Sequence, residues 1–462
     1  MINVQGPPAT DNATDNAADI GALLQRGLSF LQGGRLDQAG DCFSRVLALE
    51  PGNVDALYLL GAAQMESGKN LDAVMSLSRI VQTEPNFVPA YRMLGNAHKN
   101  LGNWKDAADN FRKAVEFEPD NPDVWNQLGY ALRGQGDLAG ALEAFGKKAE
   151  LKYRPGVSTP QDDIYFHYVT RPKLKHDIEQ MRYLIDKGLI AKRYEETIGH
   201  YTELLENFPE NPADPHASEI PERYRAAFAP VYNRHIYYRD TPAFDASPLN
   251  PAVDWSAVEA DYEKNKPGIT YFDDFLTPEA LKAIRDHCLE STMWHEFRYP
   301  NGYLGAFINE GFFCPLLLQI VDGLAKSLPA IFKDYKLINT WGYKYDSTMS
   351  GINMHADEAA VNVNFWVTPD DANLDPETGG LVIWDKEAPR DWDFEKFNAD
   401  QNAMHNFIRD SKANMVRVPH RQNRAVVFNS DLFHSTDEIH FKEGYENRRI
   451  NVTLLYGRRD QA

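Results

Sequence analysis

The stretches EPGNVDALYLLG (50–61), EPNFVPAYRMLG (84–95) and EPDNPDVWNQLG (118–129) decide how the first third of the chain is read. Each opens on Glu-Pro and closes on glycine, and their starts at Glu50, Glu84 and Glu118 give a period of 34 residues. Ala39, Ala73, Ala107 and Ala141 keep that period, as do Phe43, Leu77, Phe111 and Phe145. Two helix-length apolar patterns per period predict a helix–turn–helix solenoid. Gly61, Gly95 and Gly129 let paired helices approach closely, and Leu57, Tyr91 and Trp125 are expected to fill the space between units. Pro51, Pro85 and Pro119 follow the second helix and stop it, because proline cannot continue the hydrogen-bond ladder.

These three units and a partial first one, over residues 17–150, resemble the tetratricopeptide repeat family. The resemblance implies a concave groove that binds a protein or peptide. Tyr58, Arg92 and Asn126 occupy one groove-facing helix position, with Asn96 and Tyr130 a turn further on.

Around the repeats, the chain of 462 residues is long enough for two or three domains. Its 43% hydrophobic and 25% charged residues read as globular, and no apolar run reaches membrane-spanning length. The first 16 residues read as a disordered, polar N-terminus without a secretory signal. Three scattered cysteines fit a reducing, cytoplasmic setting. A formal charge of −19 argues against nucleic acid as a partner. Residues 151–265 read as a helical connector: RPGVSTPQDD (154–163) and PENPADPH (209–216) are loops, and KHDIEQMRYLIDKGLI and YEETIGHYTELLENF are helices.

From residue 266 the pattern changes. ITYFDDFLTPEALKAIRDHCLE reads as a strand and then a helix starting at Thr277-Pro278. INTWGYKY, VNVNFWV, GGLVIW, NRAVVFN and RRINVTLLYG are short strands of the kind found in a sandwich or jelly roll. In NMHADEAAVNVNFWV (353–367), strand alternation puts His355 and Asp357 on one face, and NRAVVFNSDLFHSTDEI leads to His434. Two histidines and a carboxylate match the facial triad that holds Fe(II) with positions left open. A hydrogen-bonded structural cluster is the alternative reading of the same three residues. In RRINVTLLY, Ile450, Val452, Leu454 and Tyr456 share one face, which turns Arg449 rather than Arg448 inward. A buried arginine needs a partner, and a dicarboxylate is a bidentate one. His405, His420 and His440 read as surface or loop residues.

His355, Asp357, His434 and then Arg449 opening the last strand resemble the Fe(II)- and 2-oxoglutarate-dependent oxygenases, in their prolyl-hydroxylase-like branch, over residues 266–462. The resemblance implies a double-stranded β-helix domain, making the whole a multidomain α + β protein. It implies that His355, Asp357 and His434 bind Fe(II), and that Arg449 grips the distal carboxylate of 2-oxoglutarate. Tyr345 is a further cosubstrate contact or a plain core tyrosine. Asn362, Asn364 and Trp366 form a face expected to line the pocket, Asn364 toward the cosubstrate, and Asn362, Trp366 and Asn451 toward the substrate. O₂ and 2-oxoglutarate would then hydroxylate an unactivated C–H bond, most simply on a polypeptide recruited by the repeats. Two other functions stand beside it: a small-molecule hydroxylase whose repeats serve assembly, and a non-catalytic repeat protein with a relic oxygenase domain.

Overall fold

The computed structural model describes residues 11–157, 163–209, 216–299, 301–332, 334–347, 349 and 351–459. Most of the two expected loops, at 154–163 and 209–216, and the first ten residues lie outside them. The chain divides into two compact units, Met1–Ala144 and Phe145–Ala462.

The first unit is built of helices α1 (Asp11–Gln32), α2 (Leu36–Leu49), α3 (Val54–Glu66), α4 (Asn70–Thr83), α5 (Val88–Asn100), α6 (Trp104–Phe117), α7 (Pro122–Gln135) and the start of α8 (Leu138–Tyr153). Helix α1 begins at Asp11, inside the segment expected to be disordered. Helices α2, α4 and α6 each end one residue before a Glu-Pro pair, as the proline argument requires. Asn53 and Asn121 cap the next helices by accepting from the Ala56 and Asp123 amides. A second glycine series, not singled out in the sequence, closes the other turn of each unit. Gly34, Gly68, Gly102 and Gly136 have φ of +70°, +75°, +73° and +94°, a left-handed backbone that side chains resist. Leu57 is buried, whereas Tyr91 and Trp125 are only half-buried. Tyr91 stacks on Phe117, and the Trp125 indole donates to the Pro119 carbonyl at 2.7 Å.

The helix pairs touch where glycine meets a large side chain. A Cβ added at Gly27 would lie 2.4 Å from the Phe43 ring, at Gly61 2.8 Å from Leu77, and at Gly95 2.7 Å from Phe111. All three large residues are buried. Gly95→Ala is therefore expected to destabilise the repeat unit by about 1–3 kcal/mol through overpacking. Gly52→Ala, where an added Cβ meets nothing within 4 Å, is the control. Denaturant unfolding followed by circular dichroism measures both.

Among its described residues the second unit carries eleven short strands: β1 (Tyr168–Thr170), β2 (Ala217–Glu219), β3 (Ile269–Phe272), β4 (Leu304–Phe307), β5 (Leu337–Tyr345), β6 (Val361–Trp366), β7 (Leu381–Glu387), β8 (Met415–Val418), β9 (Ala425–Asn429), β10 (Leu432–Thr436) and β11 (Arg449–Tyr456). Strands β1 and β2 pair with each other; the rest form a six-stranded sheet, β3-β9-β6-β11-β5-β4, and a three-stranded one, β10-β7-β8. Every pairing is antiparallel. The five strand segments read from the sequence are all present, and Thr277 caps the helix Pro278–Glu290 as expected. The sheets stay separate among the described residues and form no closed barrel. They face each other across an apolar core, with Ile269, Trp366, Val426 and Phe428 against Leu381, Ile383, Val418 and Leu432.

The segment read as a connector is part of this unit. Helix Arg171–Asp186 is tied to the strand-bearing region by Gln180, which donates to the Leu289 and Ser291 carbonyls. Lys175 meets Asp346 at 2.9 Å, and Glu179 meets the buried Arg448 at 2.8 Å. Sequence periodicity shows that this helix is amphipathic; it does not show what its buried face covers.

Candidate metal centre

His355 and Asp357 do not sit on a strand. Strand β6 starts only at Val361, and the two residues occupy the loop before it. Backbone pairing brings them to the site instead. His355 N–H donates to the His434 carbonyl at 3.0 Å and His434 N–H to the His355 carbonyl at 2.8 Å. The Asp357 amide donates to Ser430, and the Ala356 amide to Phe397. Three successive amides of the loop are thereby paired, as they would be in a strand.

The result is a cluster in which one donor atom from each of His355, Asp357 and His434 lies within 4.8 Å of the others. His355 Nε2 is 3.8 Å from Asp357 Oδ1, and His434 Nε2 is 3.5 Å from Oδ2. Both Nδ1 atoms face backbone carbonyls, of Asn353 at 2.8 Å and Leu432 at 3.0 Å. Those contacts place the ring proton on Nδ1 and leave Nε2 as a lone pair, the arrangement a metal-ligating histidine needs. Burial, helped by the neighbouring His434, pushes the His355 imidazole down to about 4, so the ring is neutral at pH 7. Burial alone would raise the Asp357 carboxyl. The His434 ring, the His355 ring and the Asn362 amide outweigh it and hold the group below its ordinary value. A carboxylate beside two imidazole nitrogens is a donor set for a divalent cation. Metal–ligand bonds of ~2.0–2.2 Å put neighbouring donors ~3 Å apart, so the 3.5 and 3.8 Å separations would have to contract by about half an ångström or more around an ion.

Arg449 stands opposite Tyr345 in the β11–β5 register and faces the three-stranded sheet. It is buried, yet among the described residues no carboxylate forms an ion pair with it. Nε donates to the Gly379 carbonyl at 2.6 Å, Nη1 to Asn451 Oδ1 at 2.9 Å and Nη2 to the Gly380 carbonyl at 3.1 Å. Three of five N–H groups are thereby used, leaving one on each terminal nitrogen. The guanidinium lies 4.9 Å from the Tyr345 ring centre. The Tyr345 hydroxyl is fully buried with Arg449 and Thr436 as its polar neighbours, and makes no well-formed hydrogen bond among the described residues. A loosely held hydroxyl beside a guanidinium with N–H groups to spare fits an anionic group not made by the chain itself. Arg448 turns the other way and donates to Glu179.

The inward asparagines differ from expectation. Asn362, Asn364 and Asn451 do share one face with Asp357 and Arg449, but they are buried and bond to one another rather than lining open space. Trp366, expected in a substrate pocket, is in the core between the sheets. His420, read as a surface residue, is buried against Trp366 and Phe441, and burial pushes it down to about 3. His405 and His440 are exposed, yet they line a cleft of about 490 Å³. Its wall includes Asn353 and Met354, just before His355, and Ser435 and Thr436, just after His434. Trp384 and Gln401 complete it from distant segments that carry no motif. Tyr343, beside the site with Tyr299 and Tyr303, was also missed; alternation back from Tyr345 along β5 points to it.

In the first unit, Tyr58 packs edge-on against Phe87, Arg92 is exposed and meets Glu118 at 3.6 Å, and the Arg133 guanidinium lies over Tyr130. Asn96 and Asn126 are half-buried, and Asn126 Oδ1 is without a partner among the described residues. Among the described residues no helix is long and apolar enough to cross a membrane.

Comparison with known proteins bears on the first unit. No curated protein matches the chain. Solved structures of MamA are similar to part of it. MamA 41-end from Desulfovibrio magneticus RS-1 is 27% identical over 29% of this chain and 75% of its own, with a TM-score of 0.28. A MamA AMB-1 structure is 28% identical over 30% and 81%, with a TM-score of 0.28. Tetratricopeptide repeat models match residues 30–97 and 92–156, and the N-terminal region of this chain accordingly carries tetratricopeptide repeats, a scaffold for protein interaction.

Proposed function

We propose that the second unit is an Fe(II)- and 2-oxoglutarate-dependent oxygenase of the double-stranded β-helix kind, hydroxylating a protein or peptide that the repeats recruit. The observation that carries this reading is the convergence of His355, Asp357 and His434, with both Nε2 lone pairs turned toward the carboxylate. His355, Asp357 and His434 would hold the iron. Arg449 would take the distal carboxylate of 2-oxoglutarate on its two remaining N–H groups, and the Tyr345 hydroxyl would donate to the same anion. Bound iron with 2-oxoglutarate and O₂ supplies the oxidation of an unactivated C–H bond, releasing succinate and CO₂. The chain's own work is to hold these groups in a dry site and to bring the target carbon to the cleft beside the two histidines.

Purified protein supplied with Fe(II) should consume 2-oxoglutarate slowly without added substrate. Arg449→Lys keeps the charge but not the fork. It is expected to raise the 2-oxoglutarate concentration for half-maximal consumption by about tenfold or more, with Fe(II) affinity unchanged. An unchanged requirement removes Arg449 from the site, and no consumption by the intact protein leaves a repeat scaffold with a non-catalytic second unit. Turnover of a bound peptide, against turnover of small molecules only, separates the two catalytic readings.

A further inference from the structure

The three inward asparagines form one chain of hydrogen bonds between Arg449 and Asp357. Arg449 Nη1 donates to Asn451 Oδ1 at 2.9 Å, and Asn451 Nδ2 donates to Asn364 Oδ1 at 3.1 Å. Asn364 Nδ2 donates to Asn362 Oδ1 at 2.6 Å, and Asn362 Nδ2 donates to Asp357 Oδ2 at 2.6 Å. Thr453 Oγ1 adds a second donor to Asn364 Oδ1 at 2.7 Å. Asn362, Asn364, Asn451 and Thr453 are all buried, at 0–5% exposure.

We propose that Asn362, Asn364 and Asn451 are positioning residues that orient the Asp357 carboxylate toward the metal and take their own orientation from Arg449. The inference rests on the metal reading above. The polarity of the chain follows from its ends. A guanidinium only donates and a carboxylate only accepts, so each amide between them can face only one way. Turning any amide over would set oxygen against oxygen at one neighbour and N–H against N–H at the other. The strand register builds the ladder: Thr453 stands opposite Asn364 across the β11–β6 pair, and Asn451 stands two residues before Thr453 on the same face. At the end of the ladder Asp357 Oδ2 is engaged by Asn362, while Oδ1 accepts no hydrogen bond among the described residues. The ladder thus assigns one oxygen to the protein and leaves the other to the ion. Groups that orient a metal ligand are worth about 10–100-fold in metal affinity.

The test is calorimetric titration of the full-length protein with Co(II) alone. Asn364 touches neither a ligand nor the cosubstrate anchor, and leucine nearly matches its shape. Asn364→Leu is expected to bind Co(II) about tenfold more weakly than the unaltered protein, with a native thermal transition. Thr453→Val, which leaves the ladder continuous through Asn451, should change affinity less than twofold. Unaltered affinity in a folded Asn364→Leu variant overturns the proposal and makes the amides mere filling. Absence of Co(II) binding by the unaltered protein instead removes the metal reading beneath it. Should Asn364→Leu fail to fold, ¹⁵N side-chain amide spectra of the unaltered protein decide. On Zn(II) addition Asn362, Asn364 and Asn451 should all shift while the remote Asn126 does not, and a response of Asn362 alone overturns the proposal.

Discussion

Asp357→Asn is expected to abolish Fe(II) binding at micromolar metal and with it 2-oxoglutarate consumption, a loss of affinity of more than ~100-fold. The substitution is nearly isosteric and keeps an oxygen to accept from Asn362, so the fold has little reason to respond. What it removes is the one negative charge in the donor set, since imidazole ligands bind a metal as neutral bases. A divalent ion stripped of water then meets no compensating charge in a buried site. Outer groups that merely orient a ligand are worth about 10–100-fold, so a direct anionic ligand is worth more. Anaerobic Fe(II) or Co(II) titration measures the loss, and thermal unfolding of the metal-free variant should shift by only a few degrees. Wild-type metal affinity in this variant would mean that the three residues are a hydrogen-bonded cluster and nothing more.

The second large effect concerns acid. Burial holds His235 and His287 at about 4 and His420 at about 3, and pushes His176 and His295 well down too. Lys148 beside His235, and Arg449 and Arg424 near His420, add to the effect. In the unfolded chain these rings titrate near 6.5. Between that pH and about 4 the unfolded chain binds protons that the folded one refuses, so stability falls as pH falls. The contribution is fully present above pH 6.5 and lost on the way to the folded-state values. Each ring carries on the order of 1–2 kcal/mol between pH 6.5 and 5. Several together should lower the melting temperature of the second unit by on the order of 10 °C. Burial raises Asp177, Asp431 and Asp437, which act in the opposite sense as pH falls, so the comparison stops at pH 5, above the ordinary carboxyl range. Scanning calorimetry at the two values measures it. An unchanged transition would mean that these rings are hydrated or paired with acids rather than buried neutral.

The repeats were legible because their signals are local. Glu-Pro pairs, small residues and large residues recur at a fixed interval, and each acts within its own helix pair, as Gly95 and Phe111 do. The left-handed glycines obey the same interval and were there to be counted. Strand phase on β11 sorted Arg449 from Arg448 correctly, since alternation is a property of the strand itself. It failed for His355 and Asp357, whose meeting with His434 depends on backbone bonds to segments far away in the sequence. It placed Asn362, Asn364 and Asn451 on the inward face but left their partners open, because pattern gives direction and not contact. Trp384 and Gln401 reach the cleft through tertiary packing alone, which no short pattern encodes.

The tie between Arg448 and Glu179 bears on how the second unit can be taken apart. A fragment beginning at residue 266, where the strand pattern starts, would keep every side chain of the triad and its ladder. It would also carry Arg448 without Glu179 and Asp346 without Lys175, leaving those two buried groups, 3.8 Å apart, with only each other of this network. Portability therefore begins upstream, at the first turns after the repeats, and a shuffled or transplanted half must bring that helix with it.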